Sequence, residues 1–451
     1  MSFMMAFGWA SVLICVGVLL RAKVPFLKSM LVPASVIAGI LGFIFVNVVP
    51  LTGLNIGTNE TMFSTIVNNL FTISFISISL TSSPKSEGNQ AKNILKGATG
   101  LGLIWCLLYA LTPLIAAGIV YFIGNVFNMK PVYGMLIQFA FCQGPGQAAA
   151  YGAIFEQFGL ENSTMVALSF AAIGFIVAFL VGIPVAKAGI KKGLAKHCGK
   201  IDDTISRGYL TKAEQKDMMV KDTTCNANIE TLSFHFAIIG VCYLLAIVIA
   251  KILSLIPGFL GTSMSSMMFI NGMIAAYIVK FIMKKLNCDF LLENTLQSKI
   301  TGWTTDYLVV CSFMAVSVKT IVEWFVPILI ISFVITVVTF IVCFYFGQRI
   351  GGKNDFERTL GLYGTSTGTV PTGIALVRIV DPNFQTTTSV ELGACNIVMM
   401  ASTPVYLLIL AYASGSINMF YTMIGLAVCV IIYLILLKVT RCWGKTTYSW
   451  K

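Results

Sequence analysis

Charge is what this sequence has least of. Asp, Glu, Lys and Arg together make up 11% of its 451 residues, less than half of the roughly 25% usual in a soluble domain. So few charges cannot cover the surface of a water-soluble fold of this length, and a soluble globular protein is excluded. Histidine is nearly absent: His197 and His235 are the only two, too few and too far apart for a metal cluster. The 12 cysteines include no Cys-x-x-Cys pair, so neither a disulfide framework nor a metal site is indicated. No basic region precedes the first apolar run, and Met1 to Ala22 reads as a first membrane span rather than a cleaved leader. The apolar stretches also lack clustered carboxylates or a nucleophile beside a base, which argues against an enzyme.

What the sequence has in excess is apolar length. Apolar residues reach 57% and the mean hydropathy is +0.87. A helix crosses the hydrocarbon with about 20 apolar residues. On that basis the sequence predicts spans near 4–21, 30–50, 62–81, 97–124, 163–188, 232–256, 263–284, 302–319, 323–347, 387–413 and 418–438. Two further apolar stretches, 132–158 and 356–380, are interrupted by glycine-rich segments and read as re-entrant pairs of half-helices. With the N-terminus outside and the C-terminus cytoplasmic, all of the 30 basic residues except Lys130, Lys251 and Lys319 fall on the cytoplasmic side, as the positive-inside rule requires. The same rule accounts for the net charge of +12 without nucleic acid. The expectation is an all-α, multi-pass protein of the inner (plasma) membrane, surrounded by lipid.

The pattern repeats across a hydrophilic cytoplasmic segment at 190–231, where an amphipathic helix is expected around Thr211 to Met219. Residues 1–189 carry five spans and the pair at 132–158; residues 232–415 carry five spans and the pair at 356–380. Residues 416–451 add one span and a tail. Five is odd, so the halves insert with opposite orientation, and inverted repeats with broken helices mark secondary transporters. Non-helical backbone at membrane depth is tolerated only when buried in protein or lining a wet cavity.

The breaks are therefore the candidate site. The first runs Gln143-Gly144-Pro145-Gly146-Gln147, with the second half-helix starting near Gly146 and Gln147. The second runs Gly364-Thr365-Ser366-Thr367-Gly368-Thr369, with Thr369 as N-cap, Pro371 in the first turn and Thr372 just inside. Free amides at the starts of the second half-helices suit a carboxylate. Unwound carbonyls, Gln143 and the hydroxyl of Thr365 suit a cation such as sodium. Ionisable residues inside apolar stretches are further candidates. Arg378, nine residues past Thr369, pairs with a substrate carboxylate, with the membrane surface or with Asp381. Asp306 opens a span as a helix cap or touches the cation. Glu391 begins an apolar span and is a candidate for a coupling cation or proton. A proton-coupled carrier and, behind it, a channel are the alternatives to sodium symport.

The stretch Gly144-Pro145-Gly146-Gln147-Ala148-Ala149-Ala150, followed by Ile154 to Gly159, Asn162-Ser163-Thr164 and Gly174 through Pro184-Val185-Ala186, resembles the first signature of the bacterial glutamate:sodium symporters. Gly361 to Ala375, with Gly364, Gly368, Pro371, Thr372 and Gly373, is similar to their second. Gln143 and Tyr363 stand where that family usually has histidine, and span 418–438 is additional to its ten-span plan. The resemblance implies sodium-coupled uptake of glutamate or a related small anion. It also implies a homodimer whose substrate domain moves like an elevator. Cysteine labelling tests the layout: residues 144–147 and 364–369 should react from opposite faces, and reaction of both from one face would refute it.

Overall fold

A computed structural model describes all residues except 1, 31, 53, 55, 82–88, 196–221, 226, 258, 319–321, 382–384 and 451. The amphipathic helix expected around Thr211 to Met219 lies outside the described residues. Those described form helices and turns, with no strand among them. Eight helices are long and apolar enough to cross a membrane: Ser2–Lys23, Glu60–Leu80, Lys92–Phe127, Ser163–Lys191, Thr231–Leu253, Phe325–Gly347, Thr388–Ala413 and Met419–Val439.

Three more of the expected spans are helical but fall short of that criterion, each for a local reason. Ala34–Val48 has 15 residues, about 22 Å of helix, because Pro33 precedes it and a 3-10 turn at Val49–Thr52 follows. Met268–Lys285 ends on Lys280, Lys284 and Lys285. Asn294–Met314 starts earlier than expected and is rich in polar residues, which it accommodates internally. Ser77 Oγ donates to Gln297 Oε1 at 2.6 Å, and the hydroxyls of Thr301, Thr304 and Thr305 bond carbonyls of their own helix at 2.7–3.0 Å. The expected span at 387–413 is one apolar run in three pieces, Thr388–Met399, a 3-10 turn at Met400–Ser402, and Thr403–Ala413. Pro404 lacks an N–H and crowds the carbonyl four residues back, so the ladder is broken there.

The helices sort by their contacts. Asn294–Met314 packs along Glu60–Leu80 and against Ala34–Val48; Met268–Lys285 packs on Glu60–Leu80; Ser2–Lys23 leans on Ala34–Val48, and Thr231–Leu253 on Met268–Lys285. A second set surrounds Asn89–Phe127, which carries Phe325–Gly347, Thr388–Met399 and Met419–Val439 on its flanks. This set holds the most deeply buried aromatics, among them Trp105 and Tyr109 of Asn89–Phe127 and Phe139 and Phe141 of the short helix Ile137–Phe141. Both interrupted stretches lie within this second set.

One group of charges inside the second set is closely paired. All twelve residues of the helix Asp355–Ser366 are buried. Arg358 donates Nε and Nη2 to the two oxygens of Glu391, each at 2.6 Å, and Nη1 to Asp355 Oδ1 at 2.9 Å. Thr387 Oγ1 adds a bond to Glu391 at 2.7 Å and the Gly351 amide one to Asp355 at 2.8 Å. Gly97 lies so close to the Glu391 carboxylate that a Cβ there would overlap it. Arg358, counted from sequence among the cytoplasmic-side charges, is buried, and both oxygens of Glu391, the sequence candidate for a coupling cation or proton, accept from it.

A buried charge stripped of its partner costs about 3–5 kcal/mol. Arg358→Met, which leaves Glu391 unpaired, should therefore lower the thermal unfolding midpoint sharply. Adding Glu391→Leu to the same chain should recover more than half of the loss; no recovery would mean the pair is not what the region rests on.

Candidate functional site

The first hairpin is built from Pro131–Gly134, Ile137–Phe141 and Pro145–Gln157. Its incoming strand of helix ends with Cys142 N bonded to Gln138 O at 3.0 Å and Gly144 N to Ala140 O at 2.9 Å. Gly144 then turns into the left-handed region, φ +81°, which only glycine enters at low cost. Pro145 takes the first helical position, where a missing N–H costs nothing. The break is therefore Cys142–Gly144, and the second half-helix starts at Pro145, slightly before the predicted Gly146–Gln147.

In the second hairpin, Asp355–Ser366 and Val370–Val380 are separated by Thr367–Thr369. This break is shorter than predicted. Gly364, Thr365 and Ser366 belong to the last turn of the incoming helix, with Thr365 Oγ1 bonded to Gly361 O and Thr367 Oγ1 to Tyr363 O, both at 2.8 Å. Gly364 is where the two arms cross: a Cβ on it would lie 2.9 Å from Gly373 Cα. Thr369 is the N-cap, its hydroxyl accepting from Thr372 N at 3.4 Å and 3.1 Å from the Thr372 hydroxyl.

The two breaks touch. A Cβ on Gly144 would overlap the methyl of Thr369 and lie 2.9 Å from Gly368 O. A Cβ on Gly174, in Ser163–Lys191, would lie 2.6 Å from Thr367 O. Trp105 Nε1 donates to Cys142 O at 2.8 Å, satisfying a carbonyl the first break leaves open. Phe71, from the other set of helices, covers Gly146 so closely that a Cβ there would enter its ring. Beside it is a cavity of about 260 Å³ lined by Phe71, Asn68, Asn69, Thr72, Gln157 and Tyr243, among others.

The chemistry at this junction is neutral oxygen and free amide. Two short helices begin here, so their first-turn N–H groups and positive dipole ends face the breaks. Carbonyls of Thr367 and Gly368 and the hydroxyls of Thr365, Thr367 and Thr369 supply hard, uncharged donors of the kind that suit an alkali cation. Buried amides mark unfilled capacity: neither Gln138 Oε1 nor Nε2 has a hydrogen-bond partner, nor does Gln147 Oε1, and such groups are costly when left alone. Among the described residues, no three His, Cys, Asp or Glu side chains could hold a metal ion together.

Of the residues singled out from sequence, the structure brings Gly144, Thr367, Gly368, Thr369 and Thr372 together, with Gly146 and Gln147 in the first turn of the adjoining helix. Gln143 is half-buried in the first break. Three others are elsewhere. Arg378 is exposed in the last turn of Val370–Val380, about 13 Å along the axis from Thr369. Asp306 sits in mid-helix beside Ser35 in the other set, while the cap of its helix is Glu293, accepting from Thr295 N at 3.2 Å. Glu391 faces Arg358. Sequence reasoning missed Phe71, Trp105 and the role of Gly174. The indole in an apolar span, which must find an acceptor, was the one signal available for Trp105.

Overlap with an aromatic ring makes Gly146 intolerant of a methyl group. Gly146→Ala should destabilise the protein by about 1–3 kcal/mol, the usual cost of overpacking, read as a lower thermal midpoint. Phe71→Ala in the same chain should return most of it; an additive double loss would rule the contact out.

A family model described as sodium/glutamate symporter matches residues 1–386. Sodium/glutamate symporters of Escherichia coli (strain K12) and Shigella flexneri are each 22% identical to the chain over 264 residues, 58% of the chain and 62% of the relative. The chain thus spans somewhat less than two thirds of the length of the curated relatives it matches. With the family model covering all but the last two spans and the tail, the chain belongs to the sodium/glutamate symporter family.

Proposed function

We propose that the protein is a secondary transporter that couples sodium entry to the uptake of glutamate or a related small dicarboxylate. The observation that carries this reading is the contact of two broken helices at Gly144 and Gly368–Thr369, in a chain of this family. A carboxylate placed at the junction accepts from the first-turn amides that the two prolines and the Thr369 cap leave over, those of Gly146, Gln147 and Val370. Sodium takes the neutral oxygens of Thr365, Thr367, Gly368 and Thr369, and each ligand offsets the charge of the other. Binding of one therefore favours the other, the reciprocal coupling that symport needs.

The pairing of helices supports two inverted halves, 1–189 and 232–415, joined by the linker at 190–231. Ala34–Val48 against Asn294–Met314 is answered by Met268–Lys285 against Glu60–Leu80, and Ser2–Lys23 on Ala34–Val48 by Thr231–Leu253 on Met268–Lys285. In this reading the set around Asn89–Phe127 carries the substrate and moves past the other set like an elevator. The other set forms the homodimer contact. The N-terminus lies outside the inner membrane and the tail in the cytoplasm. Saturation of Glu391 by Arg358 favours sodium over a proton carried by that carboxylate.

Proteoliposomes test the proposal. Glutamate uptake should require an inward sodium gradient and saturate, and a pH gradient should not replace sodium. Thr369→Val should lower uptake by about tenfold, as loss of a cap and of one ligand oxygen implies, whereas Thr369→Ser should retain most of it. Sodium-independent or unsaturable flux would overturn the reading.

A further inference from the structure

The last eleven described residues fold back onto the second hairpin. The family match ends at residue 386, and beyond the helix Met419–Val439 the chain turns back at Arg441, φ +58°, to run along the base of the second hairpin. Gly444 N bonds Arg349 O at 2.9 Å and Thr447 N bonds Gln348 O at 3.0 Å, which ties the tail to the exit of Phe325–Gly347. Thr447 Oγ1 then reaches Asp355 Oδ2 at 2.8 Å, and the Tyr448 hydroxyl donates to Thr359 Oγ1 at 3.0 Å. Phe356 has the rings of Tyr448 and Trp450 at 5.5 and 5.7 Å, and Trp443 lies 5.1 Å from Phe346. Lys192, past the end of Ser163–Lys191, bonds the Trp450 carbonyl.

Asp355, Phe356 and Thr359 lie on one side of the incoming hairpin helix, and the tail covers them together with Gly189, against Phe356, and Gly347, against Thr359. Asp355 is also a partner of Arg358, so the tail reaches the Arg358–Glu391 pair through one shared carboxylate. The helix then runs without interruption from Thr359 to the break at Thr367, about 12 Å away. A tilt at its base displaces the break. The strap is shallow as well: Thr447 and Trp443 remain exposed while Tyr448 is half-buried, so its bonds compete with water and can open locally without unfolding the bundle.

We propose that residues 441–450 are a strap that positions the second hairpin, with Thr447 and Tyr448 acting through Asp355 and Thr359, and that detaching it weakens ligand binding at the Thr367–Thr369 break. The binding part rests on the transport reading given above; the strap itself does not. Two variants test it, a chain ending at Thr440 and the full-length Thr447→Val, Tyr448→Phe double substitution, which guards against misfolding of the shortened chain. Hydrogen exchange of amides 355–366 should quicken by about tenfold in both, as loss of two hydrogen bonds implies. In proteoliposomes the KM for glutamate should rise severalfold with kcat little changed, and Thr447→Ser should behave like the parent. Unchanged exchange in the double variant overturns the strap. Faster exchange with an unchanged KM overturns the positioning role. A parent protein that takes up no glutamate defeats the transport reading, and the exchange measurement still decides the strap.

Discussion

Everything at the centre of this protein follows from one constraint: backbone polar groups inside a bilayer must find partners within the protein. An interrupted helix violates that rule unless its loose ends are enclosed. Here two interruptions enclose each other, Gly144 against Gly368 and Thr369, with Gly174 closing over the Thr367 carbonyl and Trp105 capping Cys142. Glycine is required at Gly144 by its positive φ and by the closeness of Thr369 together. The first-turn amides that remain are the ones the proposed function gives to the ligand.

The same constraint governs the charges. Asp355, Arg358 and Glu391 form one buried group with Thr387, Gly351 and Thr447 filling further sites. This group sits at the base of the second hairpin, not at its tip. Charge therefore anchors the hairpin while neutral oxygens and amides occupy the tip, which is where the proposed function puts the sodium ion and the anion. Anchoring and binding are assigned to opposite ends of one helix.

A division of labour is visible between the two sets of helices. The set around Glu60–Leu80 and Asn294–Met314 is held by close small-residue contacts, Gly39 against Phe313 and Gly42 against Met314, and by Ser77 on Gln297. The set around Asn89–Phe127 holds both hairpins and the tail. Phe71 crosses from one to the other to cover Gly146, beside an amide-lined cavity, where the two sets meet next to the breaks.

Local chemistry in the sequence determined the membrane class, the long apolar helices, the two interruptions and the cap at Thr369. These are properties of composition, periodicity and a few consecutive residues, Gly144-Pro145 and Thr369-Val370-Pro371 above all. Boundaries were less legible: Gly364, Thr365 and Ser366 continue the helix, with the Thr365 hydroxyl bonded back to Gly361 O, which a glycine count does not reveal. Only tertiary structure decided that Glu391 belongs to Arg358, thirty-three residues away, that Asp306 and Arg378 lie away from the junction, and that Phe71, Trp105 and Gly174 belong to it. Those facts depend on which helices pack together. In so apolar a chain most faces are hydrophobic enough to bury, so hydropathy alone does not choose among the possible neighbours.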